Sequence, residues 1–172
     1  MNIVNIHERV LQVDPAAAGA LIDSLSSSQD RLWPKQLWPR MRFDRELGVG
    51  AQGGHGPIRY FVEKYTPGKA IRFRFTGPRG FDGFHAYEIE VCSEHEVVLR
   101  HSIMMKTHGR AMLTWPVAYR PMHDALMEDS LAIAQLSLGL TPRITPWHPW
   151  VRLLRWLVSG GRAPSQNRLS KY

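Results

Sequence analysis

The residues best suited to chemistry are one carboxylate on a predicted helix and several histidines. At about 100° per residue, Asp129 falls on the apolar face of the long C-terminal helical pattern, beside Met122 and Leu126. A buried carboxylate needs a partner or a raised pKa, because desolvation disfavours its charged form. Asp129 is therefore a candidate ligand anchor or general acid/base. The alternative is a structural ion pair with a sheet arginine such as Arg72 or Arg100.

Two histidines, His85 and His101, lie on neighbouring predicted strands, where either could donate a hydrogen bond to a ligand. A zinc site needs three or four converging His, Cys, Asp or Glu ligands, and the sequence has no HExxH or paired-histidine spacing. His123 and Met127 have the i, i+4 spacing of ordinary helix packing. We predict no metal and no cofactor.

Aromatic and aliphatic side chains on the same elements supply the other candidate ligand contacts. Apolar pockets with a few polar groups are typical of small-molecule sites. The further candidates are Tyr119, Met122, Leu126, Phe73, Phe75 and Tyr87. The alternative for each of them is a place in a packed core.

The elements that carry these residues follow from hydrophobic periodicity. A strand near the start leads into Asp14-Pro15, a typical helix beginning, and two short helices are predicted before residue 40. Residues 41–114 alternate as five or six antiparallel strands with short turns. A helix from Pro116 to about Leu138 follows, apolar on one face.

This order predicts an α+β fold, because the last helix is the long amphipathic element available to cover one face of the sheet. We expect a curved antiparallel sheet of six to seven strands wrapped around the C-terminal helix, with the two short helices after the first strand. Such an arrangement leaves room for a cavity between sheet and helix.

Four segments carry a resemblance to a known family: VDPAAAGALI after the opening strand, IRYFVEKYTPGKAIRFRF, TGPRGFDGFHAYEIEV and WPVAYRPMHDALMEDSLAIA. In this order they resemble the helix-grip fold of the SRPBCC superfamily, which includes START-like domains, plant pathogenesis-related allergens and polyketide cyclases. The resemblance covers about residues 3–138 and implies a cavity for a hydrophobic or amphipathic small molecule, on the order of a few hundred Å³ or more, without implying a particular reaction.

The charge is concentrated at the end of the 172-residue chain. The formal net charge is +7, but residues 1–140 carry 16 Lys and Arg against 15 Asp and Glu, whereas residues 141–172 carry six Lys and Arg and no acid. The near-neutral body argues against nucleic-acid binding. We therefore predict a helix-grip domain over residues 1–140 and a basic, tryptophan-rich segment with a disordered tail over residues 141–172.

The basic segment has the composition of a short amphipathic helix. We consider peripheral contact with a membrane, or packing on the body or on a second subunit with the arginines in water. The residues expected to make the membrane contact are Trp147, Trp150, Arg152, Arg155 and Trp156. The start of the chain has no signal-peptide pattern and no apolar run has the length of a membrane span, so we expect a cytoplasmic protein, peripheral to a membrane if the contact forms.

Three functional hypotheses follow, and whether the protein is an enzyme stays open. The first is binding of a hydrophobic or amphipathic small molecule between sheet and C-terminal helix. The second is an enzyme resembling the polyketide cyclases or aromatases, with Asp129 and a histidine as acid and base. The third is a lipid or quinone carrier that docks on membranes through residues 143–158.

Overall fold

A single antiparallel sheet of seven strands forms the framework of the described chain. The computed structural model describes residues 1–162 and residue 166. The strands run in the order β1-β7-β6-β5-β4-β3-β2, so the first strand pairs with the last. Seven strands confirm the predicted number. They are β1 (Asn2–Leu11), β2 (Arg42–Phe43), β3 (Gln52–His55), β4 (Ile58–Thr66), β5 (Ala70–Gly77), β6 (Phe81–Ser93) and β7 (Glu96–Thr107).

Strand β5 shows how the sequence pattern selects the two faces of the sheet. Ile71, Phe73 and Phe75 are buried on the inner face, whereas the intervening arginines point outward. Arg72 and Arg74 each contact a Glu63 carboxylate oxygen at 2.7 Å on that outer face. Arg72 is therefore not the partner of Asp129.

The helices cover the inner face of the sheet. The short helix α2, one π-helical turn and the long helix α3 are continuous, so the predicted start at Pro116 lies inside the π-helical turn. The helical elements are α1 (Pro15–Asp23), α2 (Ala111–Thr114), the π-helical turn (Trp115–Tyr119), α3 (Arg120–Ser137) and α4 (Pro149–Val158).

The second short helix predicted after the first strand does not form, and residues 24–41 adopt turns. The Asp30 carboxylate accepts hydrogen bonds from the backbone N–H groups of Leu32 and Trp33, at 3.0 and 2.8 Å. Pro34 and Pro39 further restrict the backbone. Because these side-chain and proline constraints compete with helical hydrogen bonds, the segment carries Leu32 and Trp33 into the core in an irregular conformation.

Ion pairs connect helix α3 to strand β1 at the edge of the sheet. His7 Nε2 lies 3.1 Å from Asp124 Oδ1, and an Arg9 guanidinium nitrogen lies 2.8 Å from Glu128 Oε2. Burial lowers the pKa of His7, but its hydrogen bonds to Asp124 and Glu128 outweigh burial and raise the pKa above its ordinary value. The carboxylates of Asp124 and Glu128 on α3 are therefore paired with His7 and Arg9 on β1.

None of the helices in the described residues is long and apolar enough to span a bilayer. The tail predicted to be disordered falls largely on residues 163–165 and 167–172, which lie outside the described residues.

Candidate functional site

A cavity of about 130 Å³ lies between the inner face of the sheet and helix α3. It is smaller than the few hundred Å³ expected from the resemblance. The turn segment and helix α4 also contribute to its wall. The lining residues are Trp33, Trp38, Pro39, His55, Gly56, Pro57, Ile58, Phe75, Phe81, His85, His101, Ile103, Trp115, Tyr119, Met122, His123, Leu126, Met127, Arg155 and Val158.

Six of the nine predicted ligand contacts line this cavity, and three do not. Phe73 stacks against Phe43 on one side and His85 on the other. The Tyr87 hydroxyl lies 2.9 Å from Ser130 Oγ, so it is occupied within the core. Asp129 is the third residue that does not line the cavity. The six that do are Tyr119, His85, His101, Met122, Phe75 and Leu126.

Histidines form the polar part of the wall. His85 on β6 and His101 on β7 point inward, with His85 Nδ1 3.3 Å from His101 Nε2. The His123 ring, on α3, lies opposite, 5.0 Å from the His101 ring centre. His85 Nε2, His101 Nδ1 and both ring nitrogens of His123 are buried without a hydrogen-bond partner among the described residues. The cavity therefore adjoins polar atoms whose hydrogen bonds are unfilled.

Burial keeps these rings uncharged. It lowers the pKa values of His85 and His101 well below the ordinary value and lowers that of His123 as well. The fourth ring, His55, has a pKa lowered by burial to about 3, and its Nδ1 lies 2.9 Å from the Tyr60 hydroxyl. A neutral imidazole carries one donor and one acceptor, so the wall offers both to a ligand and no positive charge.

Asp129 belongs to a separate buried cluster. Its Oδ2 accepts hydrogen bonds from the indole N–H groups of Trp38 and Trp147, each at 2.8 Å, and its Oδ1 accepts one from the Gln166 amide at 2.8 Å. Burial raises the pKa of Asp129, while these three donors favour its charged form. The predicted ion pair with Arg72 or Arg100 is wrong, because Arg100 contacts Glu8 and Glu90 on the outer face.

The Asp129 cluster joins the basic segment to the body. Val151 and Arg155 are buried, so one side of α4 packs on the body, and Trp147, just before α4, is buried as well. The expected membrane contacts of Trp147 and Arg155 are wrong because both side chains are buried. The alternative that places the arginines of this segment in water is also wrong for Arg155, whose exposed fraction is 6%. Its guanidinium carbon lies 4.5 Å from the Trp38 ring centre, and one of its nitrogens donates to the Leu37 carbonyl.

Sequence reasoning missed part of the cavity wall. His55 comes from a strand segment whose approach to α3 depends on the whole fold, and Arg155 comes from beyond the predicted domain. Helical periodicity did place His123 beside the apolar face of α3, which was the one signal for its role.

Within the part of the chain that the structure describes, one group of side chains could hold a metal ion. His7, His123 and Asp124 each offer a ligand atom, and these atoms lie within 4.8 Å of one another. In the structure, however, the His7 ring is already bonded to two carboxylates, Asp124 and Glu128. An ion pair explains these contacts without a metal, and the absence of a metal stays a prediction.

Comparison with known proteins finds solved structures of similar fold. Neither a protein-family model nor a curated protein matches the sequence. Norcoclaurine synthase from Thalictrum flavum, in complex with dopamine and hydroxybenzaldehyde, is 13% identical with a TM-score of 0.60 and covers 83% of this chain and 90% of its own. The di-domain ARO/CYC StfQ from the steffimycin pathway is 11% identical with a TM-score of 0.61, covering 81% of this chain and 51% of its own.

A third similar structure, Ara h 8.0201, is 14% identical with a TM-score of 0.56 and covers 81% of this chain and 99% of its own. All three have a curved sheet around a long C-terminal helix. This chain has the helix-grip fold. The predicted resemblance is confirmed at the level of the fold. Each of these matches leaves nearly a fifth of the chain unmatched, so this helix-grip protein has segments that the shared fold does not require.

Proposed function

We propose that this protein binds a small hydrophobic or amphipathic molecule, with an apolar part about the size of one aromatic ring, in the cavity between the sheet and α3. The observation that carries the proposal is the combination of an apolar cavity with unfilled histidine nitrogens on its wall. An apolar cavity of about 150 Å³ accommodates benzene, so about 130 Å³ suits a single ring. The dopamine and hydroxybenzaldehyde of the norcoclaurine synthase complex are ligands of this size class.

The Asp129 and histidine pair of the enzyme hypothesis has no support in this geometry. A general acid or base must come within hydrogen-bond distance of the reacting atom or act through one water. Asp129 does not line the cavity, and both its oxygens accept hydrogen bonds from other residues. Binding is therefore the function we propose, with no reaction assigned.

Binding of p-cresol tests the proposal, because this probe combines one apolar ring with one hydroxyl. Ligand-observed NMR would compare the wild type with Met122→Trp, in which the larger side chain occupies part of the cavity volume. Met104→Trp is the matched control, since Met104 is exposed on β7. We expect the wild type and the control to bind p-cresol and Met122→Trp to bind it at least about tenfold more weakly. Equal binding by all three proteins, or no binding by the wild type, would contradict the proposal.

A second surface favours a further proposal: the outer side of α4 contacts an anionic membrane surface. While one side of α4 packs on the body, its outer side exposes apolar residues. Residues 141–162 contain no acid, and Arg152 on α4 is exposed, as are Arg143 and Arg162 in the flanking segments. Apolar residues flanked by arginines complement an anionic lipid surface. The exposed apolar residues of this side are Trp150, Leu153, Trp156 and Leu157.

Truncating the segment would not test this, because Trp147 and Arg155 are part of the core. Co-sedimentation with phosphatidylserine-containing vesicles would instead compare the intact protein with a Trp156→Ser, Leu157→Ser double variant. A Val4→Ser, Ile6→Ser variant is the control, since these two are exposed on β1. We expect loss of sedimentation in the α4 variant alone. Equal sedimentation of all three proteins, or a vesicle-free dimer that the α4 substitutions dissociate, would overturn the membrane proposal.

A further inference from the structure

Arg155 is a buried cation without an ion-pair partner among the described residues. No Asp or Glu oxygen of the described residues lies within 4.0 Å of its guanidinium nitrogens, and its Nε has no hydrogen-bond partner. Its compensation consists of the Leu37 carbonyl and the face of the Trp38 ring. Taking a charge out of water is costly unless it is paired, so this arrangement is incomplete.

Asp129 is the carboxylate that acts electrostatically on Arg155, but it does not form an ion pair with it. Asp129 favours the charged form of Arg155 electrostatically. Its oxygens, however, accept hydrogen bonds from Trp38, Trp147 and Gln166. Burial lowers the pKa of Arg155, but a guanidinium does not lose its proton in proteins. Arg155, one of the residues that line the cavity, is thus permanently charged.

Arg155 is also the one charged side chain among the described residues that line the cavity. The histidines of the wall are neutral, so they provide hydrogen bonds without electrostatic attraction for an anion. Any net charge preference of the cavity therefore comes from α4.

We infer that the ligand carries a carboxylate that pairs with Arg155, while its apolar part lies between Phe81, Trp115 and Leu126. This inference rests on the proposed binding function and names the chemical class of the ligand. A guanidinium with an unfilled Nε suits a carboxylate, because charge-assisted N–H bonds to oxygen are the strongest that such a group makes. The residue lies on α4, so the basic segment contributes directly to ligand selection.

Three probes of one shape and different charge test the inference: 4-methylbenzoate, 4-methylbenzamide and 4-methylbenzylammonium. By ligand-observed NMR at pH 7, we expect the wild type to bind the carboxylate about tenfold more tightly than the amide and the ammonium most weakly. Equal binding of carboxylate and amide, or tightest binding of the ammonium, would overturn the inference. If none of the three probes nor p-cresol binds, the proposed binding function itself fails.

Variants of α4 locate the preference. In Arg155→Met we expect the carboxylate to lose about tenfold in affinity and the amide to change by less than about twofold. Arg152→Met is the matched control on the exposed side of the same helix and should retain the wild-type ranking. A carboxylate preference that persists in Arg155→Met would contradict the assignment. If Arg155→Met fails to fold, the charge ranking in the wild type still decides the ligand class.

Discussion

Two buried polar regions lie in the same core and differ in whether their hydrogen bonds are filled. The Asp129 cluster, formed by Asp129, Trp38, Trp147 and Gln166, gives the carboxylate three donors. The histidine wall, formed by His55, His85, His101 and His123, leaves several ring nitrogens without partners and adjoins the cavity.

The difference separates a structural role from a binding role. A buried polar atom without a partner costs about 1–3 kcal/mol, so native proteins rarely keep several together. The filled cluster needs nothing more and holds α4 on the body. The histidines that carry the unfilled nitrogens line the cavity, so a ligand that contacts their rings can complete these hydrogen bonds. For this reason, Asp129, the leading candidate from the sequence, has a structural role and does not belong to the proposed binding site.

The largest effect that this comparison predicts is a loss of stability in mild acid. A group whose folded pKa is depressed favours folding above its unfolded pKa, and that stability is lost as the pH falls. Burial lowers the pKa values of His55, His85, His101 and His123, so below about pH 6.5 the unfolded chain takes up protons that the folded chain does not. Each ring contributes up to about 1.4 kcal/mol per pH unit, and together they cost several kcal/mol between pH 7 and 5.

Urea unfolding at pH 7, 6 and 5 measures this loss. The raised pKa of His7 does not oppose it below pH 6.5, because His7 is then protonated in both states. The raised pKa of Asp129 does act in the opposite direction, since protonation relieves its buried charge. In His85→Phe, the free energy of unfolding should decrease less steeply as the pH falls. A free energy of unfolding that stays constant from pH 7 to 5 would show that the wall is not kept neutral by burial.

The next largest effect is expected from Asp129→Ala. The substitution leaves the indole N–H groups of Trp38 and Trp147 buried without an acceptor, so we expect a loss of about 3–5 kcal/mol in the free energy of unfolding. Asp82→Ala, at an exposed carboxylate, should change it by less than about 0.5 kcal/mol. Urea unfolding of both variants provides the measurement. Equal losses would mean that the cluster does not hold the C-terminal segment.

A smaller loss is expected from Trp147→Phe, which keeps an aromatic ring in the cluster and removes one donor. The carboxylate retains the Trp38 and Gln166 hydrogen bonds, so we expect about 1 kcal/mol. Trp156→Phe, at an exposed indole on α4 in the same C-terminal segment, is the control. If the midpoint temperature of thermal unfolding is lowered equally in the two variants, the Trp147 hydrogen bond makes no contribution of its own to stability.

Local patterns were sufficient to predict much of the fold. Alternation along β5 assigned Ile71, Phe73 and Phe75 to the inner face, and helical periodicity identified the buried face of α3 that carries Asp129. Both predictions depend on residues a few positions apart, where the repeat of a strand or helix fixes direction. The turns after α1 were missed because Asp30 competes with the helical backbone for its hydrogen bonds.

The partners in the site were not predictable in the same way. Asp129 meets Trp38 across 91 positions of sequence and meets Trp147 across 18. No periodic pattern links such positions, and an indole donor has no sequence signature as a partner of a carboxylate. Arg155 was placed on the wrong side of α4 because its partners, the Leu37 carbonyl and the Trp38 ring, belong to the irregular turn segment.

The smallest effect is predicted for His123→Phe, and it contrasts most directly with Asp129→Ala. The ring packs against His7, His101 and Trp115, but neither nitrogen has a hydrogen-bond partner, so a phenyl ring keeps the packing and removes two unfilled polar atoms. We expect urea unfolding at pH 7 to give a free energy within about 0.5 kcal/mol of the wild type, or higher. A loss of 2 kcal/mol or more, matched by an equal loss when the wild type is treated with a chelator, would instead mean that a cation fills the ring nitrogens together with His7 and Asp124.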